Sequence, residues 1–153
     1  MSRTRARNLA ALPVVLLSLG FPGCGSDGPA APTRALLTQG QVAFPRPEIS
    51  PGLQPLYGVV NFATSVRGDL EVTADWSVAA NSFLLSIRQG TCGVTNQVEC
   101  AILVQATTGT RPARVTLSNA PAGSYTLVVL VSPGGGVPLF VPDTVSYQVF
   151  LTS

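Results

Sequence analysis

A few groups of side chains in this sequence could do chemistry, and each is bounded by its neighbours. Asp69, Glu71 and Asp75 alternate with apolar residues, so one strand would carry all three carboxylates on its outward face. Carboxylates are hard oxygen ligands, and calcium takes about six to eight oxygens. Glu71 and Asp75 would stand about 13 Å apart along a strand, so one ion cannot bridge them directly, and calcium binding here would need loop oxygens to join a carboxylate. Asp69, Glu71 and Asp75 are therefore the calcium candidates, and a solvated strand face without metal is the expectation. A glycosidase pair needs two carboxyls facing across a cleft, and the spacing marks none. Seven residues, Gly93 to Glu99, separate Cys92 from Cys100 between apolar runs, a spacing that suits a disulfide between neighbouring strands. The alternative is a two-cysteine metal site, which lacks further ligands nearby. There is no histidine, which excludes Ser-His-Asp and Cys-His catalysis and imidazole-ligated metal. Pro133-Gly134-Gly135-Gly136 is followed by no lysine and no helical run, so it is not a phosphate loop. No catalytic residue and no cofactor are expected.

The third cysteine has a different setting. Residues 1–23 read as an export signal. Arg3, Arg5 and Arg7 make a positive start, and Leu9 to Phe21 is an uncharged apolar run. That run is shorter than the ~20 residues a membrane-spanning helix needs, and Pro13 interrupts it. Phe21-Pro22-Gly23-Cys24 resembles a bacterial lipobox, in which the cysteine is lipidated and becomes the new N-terminus. Gly25 to Thr33 (GSDGPAAPT) has the composition of a tether. The other reading is plain secretion with cleavage near Ala30 and Ala31. If Cys24 carries lipid, Cys92 and Cys100 are the remaining pair, which suits an oxidising compartment. The expected address is an exported, lipid-anchored position in the cell envelope, at the outer membrane or facing the periplasm. Without the three leader arginines, six positive charges face seven negative ones. No basic face is left for nucleic acid.

The elements that must position these residues are strands. Residues 24–55 form a proline-interrupted tether with one possible edge strand around Gln41–Phe44. From residue 56 to 153 the hydrophobic period is two. Leu70, Val72, Ala74 and Trp76 form one inward series; Phe83, Leu85 and Ile87 a second; Tyr125, Leu127, Val129 and Val131 a third; Val145, Tyr147, Val149 and Leu151 a fourth. Val115 and Leu117 follow the same rule. Tyr57–Phe62 and Ala101–Val104 are apolar on both faces and suit inner strands. Turn chemistry at Val66–Asp69, Ala80-Asn81, Asn119–Gly123 and Pro133–Gly136 separates the runs. The pattern predicts an all-β domain of about seven strands, a single antiparallel β-sandwich of jelly-roll or immunoglobulin-like type. On it, Trp76 falls among core positions. Tyr125, two residues after Gly123, falls where a tyrosine corner would tie a loop to a strand. Val137, Leu139, Phe140 and Val141 form a contact patch if the loop exposes them, or fold back over one end of the sandwich.

Several of these strands carry a family resemblance. Gly68-Asp69-Leu70-Glu71-Val72-Thr73-Ala74-Asp75-Trp76, Asn81–Ile87, Ala122–Val129 and Val145–Leu151 resemble strands of the bacterial pre-peptidase C-terminal domain. The similarity spans Tyr57 to Ser153. It implies a jelly-roll-like sandwich with a noncatalytic binding or chaperoning role, and some members of that family bind calcium through a denser acidic cluster. The expected function is a noncatalytic envelope lipoprotein presenting a β-sandwich for protein or glycan contact. The alternative is a carbohydrate-binding module of a secreted system, which calls for exposed aromatics in a line.

Overall fold

The computed structural model describes residues 31–45, 57–93, 100–132 and 141–153. They form eight strands: β1 (Arg34–Phe44), β2 (Tyr57–Thr64), β3 (Gly68–Asp75), β4 (Ser82–Gln89), β5 (Ile102–Thr108), β6 (Ala113–Ala120), β7 (Gly123–Ser132) and β8 (Asp143–Thr152). Two four-stranded sheets run in the orders β1-β8-β3-β6 and β2-β7-β4-β5. Every pairing is antiparallel. The chain is thus folded as nested hairpins, β4 with β5 innermost and β1 with β8 outermost, which is the plan of a jelly roll. A consequence of the nesting is that the two ends of the folded unit meet. Thr33 N donates to the Ser153 carbonyl at 2.8 Å, and Ser153 N donates back to Thr33 at 3.0 Å.

The period-two residues fill the space between the sheets. Leu70, Val72, Phe83, Leu85, Ile87, Leu127, Val129, Val145 and Val149 are fully buried. Trp76 is in this core, edge-on to Phe83 at 5.0 Å, with its indole N–H donating to the Asn81 carbonyl at 3.2 Å. Phe44 also packs on Phe83, tilted to it with centroids 5.3 Å apart. Tyr125 stacks on Phe62 and donates its hydroxyl to the Pro121 carbonyl, four residues upstream, at 2.5 Å. That is the expected tyrosine corner, and burial raises its phenol above the ordinary tyrosine value.

Four expectations need correction. There are eight strands rather than about seven, because the edge strand expected at Gln41–Phe44 begins at Arg34 and pairs with β8 along its length. The compact unit consequently runs Ala31–Ser153, taking in part of the segment read as tether. The two runs expected to be inner strands, Tyr57–Phe62 and Ala101–Val104, lie in β2 and β5, the two edges of their sheet. Ile102 and Leu103 point to opposite faces and are both exposed. Lastly, the outward face of β4 is not wet, since Ser86 and Arg88 are buried there, as is Thr126 on β7. Cys92 lies over this face, its backbone N–H donating to Thr126 Oγ1 at 3.0 Å and Asn61 Oδ1 at 3.2 Å. A period-two pattern marks which residues face the core, but it does not reveal what a later loop covers.

Candidate functional site

The outward face of the β1-β8-β3-β6 sheet holds the three carboxylates to which the sequence assigns metal chemistry. Asp69, Glu71 and Asp75 share that face as expected, and each has a partner within the sandwich. Asp69 accepts the Asn119 backbone N–H at 2.7 Å. Asn119 is held at φ 56°, a left-handed conformation that asparagine tolerates better than most residues. Glu71 lies between two guanidinium groups, 2.7 Å from Arg34 and 3.2 Å from Arg114. Arg34 in turn lies flat over Phe150, 3.5 Å from the ring centroid. Asp75 accepts the N–H of Trp76 at 2.9 Å. The three carboxylates do not converge, and no group of three metal-ligating side chains occurs among the described residues.

Beside Asp75 a shallow groove of about 610 Å³ crosses the face of the sheet. Its rim comprises Gln39 and Gln41 from β1, Ser146 and Gln148 from β8, Thr73 from β3, and Pro112. Strand register builds it: Gln41 pairs with Ser146, and Gln39 with Gln148, which pairs with Thr73 on its other side. Gln148 donates to Gln39 at 3.3 Å, and Gln41 to Ser146 at 3.4 Å. Amides and hydroxyls of this kind donate and accept hydrogen bonds without moving protons. The glutamines were not legible as a site, because they match no motif and β1 reads as a tether. The one usable signal was Gln39-Gly40-Gln41, a polar-small-polar alternation preceding Val42 and Phe44.

Asp143 belongs to a second cluster, at the end of the sandwich where β8 begins. From its place in sequence, just after Pro142 at a loop end, Asp143 is expected to be well solvated, but it is 7% exposed. It accepts from Ser77 N (3.1 Å) and Oγ (2.8 Å), Val78 N (3.0 Å), Asn81 Nδ2 (3.1 Å) and Thr144 N (2.8 Å). Burial alone would raise its pKa, but the bonds from Val78, Ser77 and Asn81 outweigh it and hold the carboxyl below the usual range. Arg111 caps the same turn, donating to the carbonyls of Trp76 and Ser77 at 2.5 and 2.7 Å. This cluster fastens three segments together beside an open depression of about 420 Å³ that Asp143, Ser77 and Thr144 line with Pro45 and Pro142.

Cys92 and Cys100 form the expected disulfide, with Cα atoms 6.3 Å apart. Val141, the described part of the expected contact loop, is exposed. Its backbone N–H and carbonyl are both engaged by the Asn81 side chain, at 3.3 and 2.8 Å. Cys24, Val137, Leu139 and Phe140 lie outside the described residues. Eight aromatic residues are described, and none is exposed; Tyr57 and Phe150 are half-buried and the other six buried.

No protein-family profile matches the chain, and no curated protein does either. Among solved structures, the chain is similar to the carbohydrate-binding module CBM36 in complex with calcium and xylotriose. The identity is 17% and the TM-score 0.34, over 79% of this chain and 99% of the module. A chain of Desmodium yellow mottle tymovirus aligns at 12% identity and TM-score 0.31, over 100% of this chain and 96% of its own.

Proposed function

We propose that this chain is a noncatalytic, exported lipoprotein that presents one β-sandwich as a binding module at the cell envelope. The observation that carries this reading is the state of the described carboxylates. Asp69, Glu71, Asp75 and Asp143 each hold a turn, a strand pair or a loop in place. An acid or base that works near neutral pH needs a pKa pushed towards 7 in a cleft, and Asp143 is shifted the other way. What the exposed sheet offers instead is the hydrogen-bonding groove of Gln39, Gln41, Gln148, Thr73 and Ser146. The disulfide fits an oxidising compartment, and Gly23-Cys24 supplies the anchor. Metabolic labelling with a palmitate analogue tests the anchor: native chain takes label and Cys24→Ser does not. Equal labelling, or none in either, removes the lipoprotein.

The groove also favours a second reading, a carbohydrate-binding module of a secreted system. A row of amides and hydroxyls matches the alternating hydroxyls of a sugar chain, although no described aromatic residue offers the stacking platform. Binding to immobilised glycans, lost in Gln39→Ala with Gln148→Ala and retained in Cys24→Ser, supports it. A sandwich that retains no glycan discards it.

A further inference from the structure

The strand directions place the start of β1 and the ends of β8, β2, β4 and β6 at one pole of the sandwich. The segment that follows Cys24 enters the fold there, because Thr33 is bonded to Ser153 at that pole. Four of the five large apolar side chains exposed among the described residues lie towards the same pole: Val66 at 49% exposure, Ile102 at 48%, Leu36 at 46% and Leu103 at 38%. Val141 alone is at the other. Single exposed apolar residues need no explanation, but their concentration at the end that bears the tether does.

The tip of this pole is a small, continuous surface. Thr64 pairs with Gly123, and Gly68 with Ala120. The turns joining β2 to β3 and β6 to β7 therefore lie side by side, and they expose Val66, Arg67, Pro121 and Ala122. Thr64 fixes the first turn, its hydroxyl donating to the Val66 carbonyl at 2.7 Å. The Tyr125 hydroxyl fixes the second through Pro121. Arg67 reaches Asn119 at 3.4 Å and keeps an exposed guanidinium, which suits an anionic headgroup beside an apolar side chain. Apart from Glu71, which is paired with Arg34 and Arg114, the nearby acid among the described residues is Asp69, already bonded to Asn119.

Reach selects the occupant. Thr33 lies nine residue steps beyond Cys24, with eight residues between them, and a chain of that length spans at most about 30 Å. The 11 residues of β1 alone extend about 36 Å at 3.3 Å per residue. The tether pole is thus always within reach of a bilayer holding the Cys24 lipid, while the opposite pole reaches it only if the sandwich lies down. We propose that the pole bearing Val66, Arg67, Pro121 and Ala122 docks on the lipid bilayer surface into which Cys24 is anchored. This rests on the lipoprotein reading given above. Docking would orient the sandwich upright and turn the Asp143 end away from the membrane.

The test uses lipidated full-length chain in phosphatidylethanolamine/phosphatidylglycerol vesicles, with one environment-sensitive fluorophore on an added cysteine. Ala122→Cys samples the tip, and Ala80→Cys the opposite pole. Contact at the headgroup boundary predicts blue-shifted emission at position 122 and at least about twofold more quenching there by spin-labelled lipid than at position 80. Val66→Asp with Ile102→Asp should abolish that difference while the protein still floats with the vesicles. Floating protein with equal quenching at both positions overturns the docking and leaves the anchor standing. Protein that takes no lipid at Cys24 and does not float overturns the anchor, and the docking with it. A tip label that is already shielded without vesicles, in proportion to protein concentration, assigns the pole to a second copy and also overturns the proposal.

Discussion

Asp143 accepts five hydrogen bonds, and most of them come from the turn after β3. Removing it takes the acceptor away from a set of part-buried N–H groups, so Asp143→Ala should lower unfolding free energy by about 1–3 kcal/mol in urea titrations at pH 7. The pH dependence has a defined sign. The folded pKa lies below the unfolded value, so the stabilisation is complete above about 4 and is lost as pH falls through the folded pKa. The stability gap between the native chain and Asp143→Asn should therefore narrow below pH ~4. A gap unchanged down to pH 2 would falsify the assignment of that charge. Tyr125→Phe is a milder case: it removes the bond to Pro121 while keeping the ring on Phe62, at a cost of about 1 kcal/mol.

Between elements, one close approach is where β1 crosses β2. A Cβ built on Gly58 would lie 2.3 Å from Val42 Cγ1, and Val42 is β-branched with little rotamer freedom. Gly58→Ala should cost about 1–3 kcal/mol through overpacking. The same substitution made beside Val42→Ala should cost much less, since the obstructing methyl is gone. Denaturation of the four proteins of this double-mutant cycle measures the coupling, and strictly additive effects would show that the two strands do not meet there. This contact also explains what was legible in the sequence and what was not. Strands β3, β4, β7 and β8 could be read because one face of each fills a shared core, so their alternation repeats over three or four positions. For β1 the signal is interrupted: Gly40 replaces an inward side chain beneath Tyr147, a register shift falls between Leu36 and Thr38, and prolines follow from Pro45. The groove was illegible for the same reason, since two of its glutamines lie on that strand. Edges and centres were confused because apolar content on two faces reflects total burial, and Ile102 and Leu103 are apolar without being buried.

For the whole molecule, the nested hairpins make the first and last strands mutually dependent. β1 is the outermost strand of its sheet and pairs only with β8, yet it delivers Phe44, 2% exposed, onto Phe83 at the centre of the core. Val42 and Leu37 pack against the same cluster. Loss of Phe44 alone would cost about 3–5 kcal/mol, a large part of the ~5–15 kcal/mol that stabilises a typical domain. A chain beginning at Ala31 retains the whole compact unit and the Thr33–Ser153 clasp, so it should unfold at the same temperature as the chain beginning at Cys24. A chain beginning at residue 46 loses β1, uncovers β8 and should give no cooperative transition. Calorimetry on the three chains distinguishes a tether from a structural strand: if the chain starting at residue 46 melts as sharply and as high as the others, β1 is dispensable and the folded unit begins at β2. The Cys92–Cys100 bond makes a separate contribution at the pole where β1 starts. It closes a loop of sequence separation 8, which the chain-entropy account values at about 2–3 kcal/mol. Reduction should therefore lower the melting temperature of the Ala31 chain without abolishing its transition, whereas losing β1 abolishes it even with the disulfide intact.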